Sequence, residues 1–442
     1  MKKIIIPNQT DISPFNQPAR DLRIMNKPLW LHQRDVLSTY CREELQECSS
    51  FEEIPVKHSA ADLSGELLTY RDNLFFDAPF IEAFIAAARQ SGQTAQVAFS
   101  PNDRAIVTHA LPLQDGIRLE NDLYIADLFY YPDGANFATA NPQPLVIDTQ
   151  SREMGYYRVP TYMANERGDL GFNVPLRAFL SIEHWVHIFM ANCLFGTFSH
   201  GARIEKSLDH FPTMLKVLWR SLLERKQFLS SSALVIVGKN TQIDPAAIVQ
   251  GPTIIGDNVT IGPGSVINAS IIGNNVNIMQ GVQLLLSVVG DGSYLGFRAA
   301  LFMTTLMENS MVAQNTCLQL SVVGRDTFIG AGNTFTDFNI MGNPVEVFHK
   351  GELHQVGLPV IGGCVGHNCR IGSGHTIFPA RSIESDVVWF AKQGQTIITK
   401  NLKFEDSDHH RYPNAGHVVM YHDEPPPETP SATEQELMNS AG

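Results

Sequence analysis

Residues 237–272 read VGKNTQIDPAAIVQGPTIIGDNVTIGPGSVINASII, and an aliphatic residue returns at every sixth place: Val237, Ile243, Val249, Ile255, Ile261 and Ile267. The period resumes at Ile272, Ile278 and Leu284, at Val289, Leu295 and Leu301, at Val323, Ile329 and Phe335, and at Val365, Ile371, Ile377 and Ile383. Glycine or an acid often follows the aliphatic, as at Asp244, Gly256, Gly273 and Gly290, and a small or β-branched residue often sits four places on, as at Thr241, Ala247 and Val259. A spacing of six fits neither a helix nor a single strand. It fits a short strand and a turn, repeated, so that each aliphatic stacks on one from the neighbouring coil. Gly256-Asp257-Asn258 and Gly262-Pro263-Gly264 supply the tight corners. The pattern therefore predicts a parallel β-helix, a solenoid that buries a continuous apolar column.

These hexads resemble the left-handed β-helix of the hexapeptide-repeat acyltransferases, which implies a homotrimer. The start of the chain, MKKIIIPNQTDISPFNQPARDLRIMNKPLW, resembles the opening of sugar-phosphate nucleotidyltransferases, where a short strand enters a Gly-rich loop, then an Arg and later a Lys-Pro-Leu. Lys2 to Ile6 supplies the strand, Arg20 and Arg23 the basic positions, and Lys27-Pro28-Leu29 the tripeptide. The glycines are missing, because Pro7-Asn8-Gln9-Thr10 occupies the loop. That loop works where residues without Cβ let backbone N–H groups close on phosphate, and proline removes a donor. An α/β nucleotidyltransferase-like unit of degenerate Rossmann type, a connecting helix and a β-helix together resemble the bifunctional N-acetylglucosamine-1-phosphate uridyltransferase/glucosamine-1-phosphate acetyltransferase family. The expected boundaries are 1–205 for the α/β unit, 206–232 for the connecting helix and linker, 233–400 for the β-helix with an insertion at 336–359, and 401–442 for a polar extension, disordered from 423.

The resemblance implies roles for particular residues. Arg20, Arg23 and Lys27 would neutralise phosphate, and Asp72, at a strand end, would hold Mg²⁺. Asp77 is a second acidic candidate, but Asp followed by Pro79 is also ordinary helix-capping chemistry. His184 and His187 share a spacing of three, and packing is the stronger reading for them. In the family, a segment before an Ile-Gly-Ala-Gly turn carries the catalytic His. Here Ile329 to Gly332 is the turn, and counting back places Gln314 in the His slot and Cys317 in a Tyr slot. An amide does not titrate, so Gln314 is no general base. The hexads blur between Leu301 and Val323, which marks this stretch and the following insertion as places for chemistry.

The insertion TDFNIMGNPVEVFHKGELHQVGLP carries Asp337, Asn339, His349, Lys350, Glu352 and His354. His349 or His354 is a candidate base oriented by a carboxylate, with His375, Asn339, Asp337 and Arg381 placing substrate. The same residues also read as a hairpin, with Lys350-Gly351-Glu352 as the turn between Val345 to His349 and Leu353 to Val356. His375, Arg381 and Asn333 occupy slots that elsewhere hold small residues, and His367 is expected as an exposed corner.

Composition bounds the rest. A net charge of −13 with no Lys/Arg block argues against nucleic acid and acidic membranes. Six dispersed cysteines, with no apolar run of spanning length or secretory pattern, point to a reducing cytoplasm. Cys364, His367 and Cys369 form a conceivable metal site, with Cys369 read first as a packing residue. The leading expectation is a sugar-nucleotide enzyme that handles a sugar phosphate or sugar nucleotide, with acetyl-CoA or another acyl-CoA as co-substrate. Its rivals are a catalytically silent trimeric scaffold or sugar-nucleotide sensor, and a metal-dependent β-helix enzyme using His349, His354 and His375.

Overall fold

A computed structural model describes residues 1–158, 169–339 and 344–411. The tail expected to be disordered from 423 lies outside the described residues. The hexads form a parallel β-solenoid of three sheets with eight strands each, from Val235–Val237 to Ile397–Ile398. Successive coils are offset by 18 residues at first (Val235 pairs with Thr253) and then by 17 (Ile254 pairs with Ile271). The sixth-place aliphatics point inward: Ile255, Ile261, Ile267, Ile272 and Ile278 belong to one buried column that continues to Ile398. Each such side chain contributes about 1.5–3 kcal/mol when fully buried.

Corners need backbone that most residues avoid. Asn240, Asn258, Asn275, Asn309 and Asp326 take positive φ at equivalent positions. Asn and Asp tolerate this region because their short polar side chains bond locally. The side chains also link coils, with Asn258 Nδ2 donating to Asn275 Oδ1 at 3.1 Å. Gly290 answers a different need, since a Cβ there would lie 2.4 Å from the Glu308 backbone nitrogen of the next coil.

The stretch 301–323 is not a departure from the solenoid. Leu306, Val312 and Leu318 keep the six-residue spacing and are buried in the column, and strands Thr305–Leu306, Met311–Val312 and Cys317–Gln319 pair in register. Met303 and Met307 are buried for another reason: they join a core shared with the N-terminal region. The insertion is real. Val322 pairs with Cys364, a jump of 42 positions, whereas Cys364 pairs with Ser382 at a spacing of 18, that of the first coil. Within it Glu346–His349 and Glu352–Gln355 form an antiparallel hairpin. Lys350 and Gly351 both have positive φ, the arrangement of a type I′ turn, so the hairpin reading of this segment holds.

The N-terminal region is α/β. Strand Lys2–Ile6 pairs in parallel with Leu67–Arg71 and Glu43–Glu44, while Leu123–Tyr131 runs antiparallel to Leu67–Arg71 and Ala95–Phe99. Asp77 caps helix Ala78–Ser91: its carboxylate accepts the Phe80 N–H at 2.9 Å and pairs with Arg203 at 2.6 Å. The expected connecting helix is two helices, Ser199–Leu208 and Phe211–Glu224, because Pro212 belongs in a first turn and restarts the helix.

The buried segment from Trp185 to Phe198 lies along one corner of the solenoid, where Leu286, Met303 and Leu320 project from positive-φ positions into the N-terminal core. Thr197 Oγ1 donates to the Leu286 carbonyl at 3.3 Å across this seam. Arg23 also crosses it, meeting Glu308 at 2.9 Å.

Candidate active-site cleft

The hairpin, the loop 10–14, the segment Glu183 to Trp185 and the late coils at Ala380, Ser382 and Glu384 enclose a cleft of about 610 Å³. The hairpin stands on the solenoid because Val347 and Val356 insert into the shared core. Arg381 steadies it from below, donating to the Glu346 carbonyl at 3.3 Å. At its tip Lys350 pairs with Asp115 of the N-terminal region.

His349 ends the first hairpin strand and is half-buried at the cleft wall. Its ring packs edge-on against His184 with centroids 5.4 Å apart, and His354 lies on its other side at 5.7 Å. Desolvation lowers the His349 pKa, helped by Lys350 and His354 and opposed by Asp115 and Glu183. An imidazole so placed is neutral near pH 7 and able to accept a proton. His184 is held rigidly: Nδ1 accepts the Val186 N–H at 3.3 Å, and the ring bonds the Phe348 backbone. Burial pushes its pKa far down, so it stays neutral. Behind it, His187 Nδ1 accepts the N–H groups of Glu183 and His184, and its other nitrogen bonds the Pro112 carbonyl at 2.8 Å. Packing was the stronger reading for this pair and describes His187 fully; His184 also borders the cleft. Glu183 is spent on the N–H groups of Asp115 and Gly116. Lys350, Lys403, Glu384 and Glu405 bring both signs of charge to the lining.

The other candidates lie elsewhere. His375 is sealed inside the solenoid, with Nδ1 on the Gly372 carbonyl at 3.0 Å and its backbone N–H donating to Asn333 Oδ1 at 2.6 Å. It does not line the cleft, because its slot points into the column. His367, expected as an exposed corner, is buried and packs at a tilt against Phe15, ring centroids 5.0 Å apart, since the N-terminal loop covers that corner. Asp337 lies within 3.0–3.1 Å of the Gln319 amide, and burial raises its pKa. Asn339 is partly exposed, next to residues outside the described set.

In the N-terminal region Arg20 and Asp72 do meet, at 3.1 Å, and Asp72 also accepts the Asn8 N–H at 2.7 Å. Arg20 holds Glu47 as well. Arg23 is turned to Glu308 and Lys27 to Asp35, so the three cations do not converge. Burial pushes the Asp72 carboxyl up to about 6, against the Asn8 N–H and Arg20. A Mg²⁺ ion would have to displace Arg20 from its carboxylate, so the donors do not fit such a site. No cluster of three or more metal-ligating side chains occurs among the described residues, and Cys369 Sγ instead bonds the Glu384 carbonyl at 3.1 Å. No helix among them is long and apolar enough to cross a membrane.

Residues 235–269 match the bacterial transferase hexapeptide family (six repeats). The chain is similar to the bifunctional protein GlmU of Acaryochloris marina, 27% identical over 37% of this chain and 40% of the relative. It is likewise similar to GlmU of Heliobacterium modesticaldum, 30% identical over 31% of each chain. These matches fall in the C-terminal region, so the chain spans well under half the length of the relatives it matches. Among solved structures, UDP-N-acetylglucosamine acyltransferase from Campylobacter jejuni matches with 16% identity and a TM-score of 0.21, over 34% of this chain and 64% of that one. The O-acyltransferase from Moraxella catarrhalis gives 15% and 0.20, over 36% and 70%.

Proposed function

We propose that the protein is a transferase of the hexapeptide-repeat acyltransferase type that moves an acyl group from acyl-CoA to a sugar phosphate or sugar nucleotide. The observation that carries this reading is His349, a neutral imidazole on the wall of a 610 Å³ cleft built on rigid coils. His349 takes a proton from the acceptor amine or hydroxyl as that atom attacks the thioester carbonyl. The C–S bond then breaks, and the same imidazolium returns the proton to the leaving thiolate. His184 positions the ring, and Arg381 positions the hairpin that bears it. Lys403 and Lys350 give the lining cationic groups for phosphate. The test is release of CoA thiol from acetyl-CoA with a panel of sugar phosphates and sugar nucleotides, comparing the wild type with His349→Gln.

A second reading concerns the N-terminal region alone, as a silent or sensory unit. It is favoured by the pairing of Arg20 and Asn8 with Asp72, which uses the groups a triphosphate and its metal would need. A thermal-shift screen with UTP, dTTP and sugar nucleotides, each with Mg²⁺, separates the cases. The silent reading expects no shift with any of them, and the sensory reading expects a rise with a sugar nucleotide only.

A further inference from the structure

The segment that follows the first strand lacks the glycines of a phosphate loop, yet it is anchored at both ends. At one end the Asn8 N–H donates to Asp72 at 2.7 Å, and the Thr10 N–H donates to the Asn8 side chain at 3.0 Å. At the other, the Pro14 carbonyl accepts the Ser385 hydroxyl at 2.9 Å and the Ser385 N–H at 3.1 Å, and Asn16 donates to Glu384 at 3.1 Å. Between the anchors Asp11–Ile12 pairs antiparallel with Gln17–Pro18. Side chains alternate along extended backbone, so Ile12 and Pro14 are buried while Asp11 and Ser13 are exposed. Ile12 enters the shared core, and Asp11 and Ser13 line the 610 Å³ cleft.

The charged groups of that cleft divide into engaged and free. Glu183 accepts the N–H groups of Asp115 and Gly116, Glu384 accepts the Phe404 N–H at 2.9 Å, and Lys350 is paired with Asp115. Among the described residues, Asp11, Lys403 and Glu405 line the cleft without an ion-pair partner. Of the two acids, Asp11 has the shorter side chain and stands on backbone fixed on both sides, so it loses least entropy on binding. An ionised carboxylate only accepts, through two oxygens, and so takes two O–H donors held side by side. Neighbouring hydroxyls on a sugar ring present that pair. A phosphate is repelled by Asp11 and attracted by Lys403, which fixes the direction in which a sugar phosphate lies.

We propose that Asp11 selects the acceptor by taking hydrogen bonds from two neighbouring hydroxyls of its sugar ring, so that the N-terminal region supplies the specificity of a cleft built on the solenoid. The inference rests on the transferase reading for the nature of the acceptor, and Asp11 takes no part in the proton transfer.

The experiment is calorimetric titration of the full chain, and of Asp11→Ala and Asp11→Asn, with hexose 1-phosphates, hexose 6-phosphates and UDP-hexoses, followed by acyl-transfer kinetics with each probe that binds. The expected result is a Kd at least about 10-fold weaker in Asp11→Ala and an acceptor KM raised by the same factor, with kcat and the acyl-CoA KM unchanged. Asp11→Asn, which keeps one accepting oxygen, falls between. The Asp11 carboxylate bonds nothing in the fold, so both variants are expected to melt with the wild type; where Asp11→Ala does not, Asp11→Asn decides. Equal Kd values in the wild type and the variants, or no binding of any probe by the wild type, overturns the proposal. Binding that depends on Asp11 without release of CoA thiol keeps the sugar site and refutes the transfer. Thiol release indifferent to Asp11 overturns the site and leaves the transfer standing.

Discussion

The rings of His349 and His184 meet edge-on, centroids 5.4 Å apart, although one belongs to the hairpin on the solenoid and the other to the N-terminal region. His184 is fixed by the Val186 N–H and the Phe348 backbone, so it sets the angle at which His349 faces the cleft. Desolvation pulls the His349 pKa down. A base must be deprotonated to act, so the rate rises with pH, and its acid limb is expected at a half-maximal point below the ordinary imidazole value of about 6.5. A pH profile of kcat/KM checks this; a limb above that value would assign the base elsewhere.

Asp72 gives a pH dependence of stability with the opposite origin. Burial pushes its carboxyl up to about 6, against about 3.9 in the unfolded chain. The folded state therefore binds the proton more readily. Asp72's contribution is fully present below the unfolded value and is lost as pH rises through about 6, by about 3 kcal/mol in all. Asp72→Asn removes that slope. Between pH 5 and 7.5 the variant is expected to gain about 1 kcal/mol on the wild type in urea denaturation, whereas a pH-independent difference would contradict the account.

Two glycines separate close approach from backbone conformation. At Gly290 a Cβ would sit 2.4 Å from the Glu308 nitrogen and 2.6 Å from the Met307 carbonyl carbon, with backbone on both counts. At Gly264 nothing lies within 4 Å, but φ is +69°. Gly290→Ala is expected to cost about 3 kcal/mol by forcing adjacent coils apart, and Gly264→Ala about 1–2 kcal/mol. Chemical denaturation of the two variants ranks them.

The hairpin is held by burial more than by its ion pair. Lys350 and Asp115 are both largely exposed, while Val347 is 1% exposed in the shared core. Lys350→Ala is expected to change stability by less than about 1 kcal/mol. Val347→Ala is expected to cost about 2 kcal/mol and to raise hydrogen exchange across residues 346–355.

The solenoid was legible because its signal is local and repeated: Ile255, Ile261 and Ile267 announce the column without any partner in view. A local signal also marks the hairpin turn expected over Lys350-Gly351-Glu352, although Glu352 belongs to the second strand and the positive φ values fall on Lys350 and Gly351. Misreading began where side chains answer to distant neighbours. Leu306, Val312 and Leu318 kept the period, yet Met303 and Met307 between them made the stretch look irregular, and their burial against the N-terminal core has no local signature. His375 breaks the local rule of its slot, but it is the fold that closes its ring inside the column and ties it to Gly372. Arg23 looked like a phosphate ligand; its partner Glu308 is 285 residues away. The cleft itself unites segments near 10, 183, 349, 381 and 403, a grouping no spacing encodes.

The most direct measurement is CoA thiol release by the full chain, with acetyl-CoA and the acceptor panel, alongside His349→Gln. The account predicts thiol release by the wild type and a kcat at least about 100-fold lower in the variant, with an unchanged melting temperature. Equal release by both proteins, or no binding of acetyl-CoA by the wild type, would contradict it.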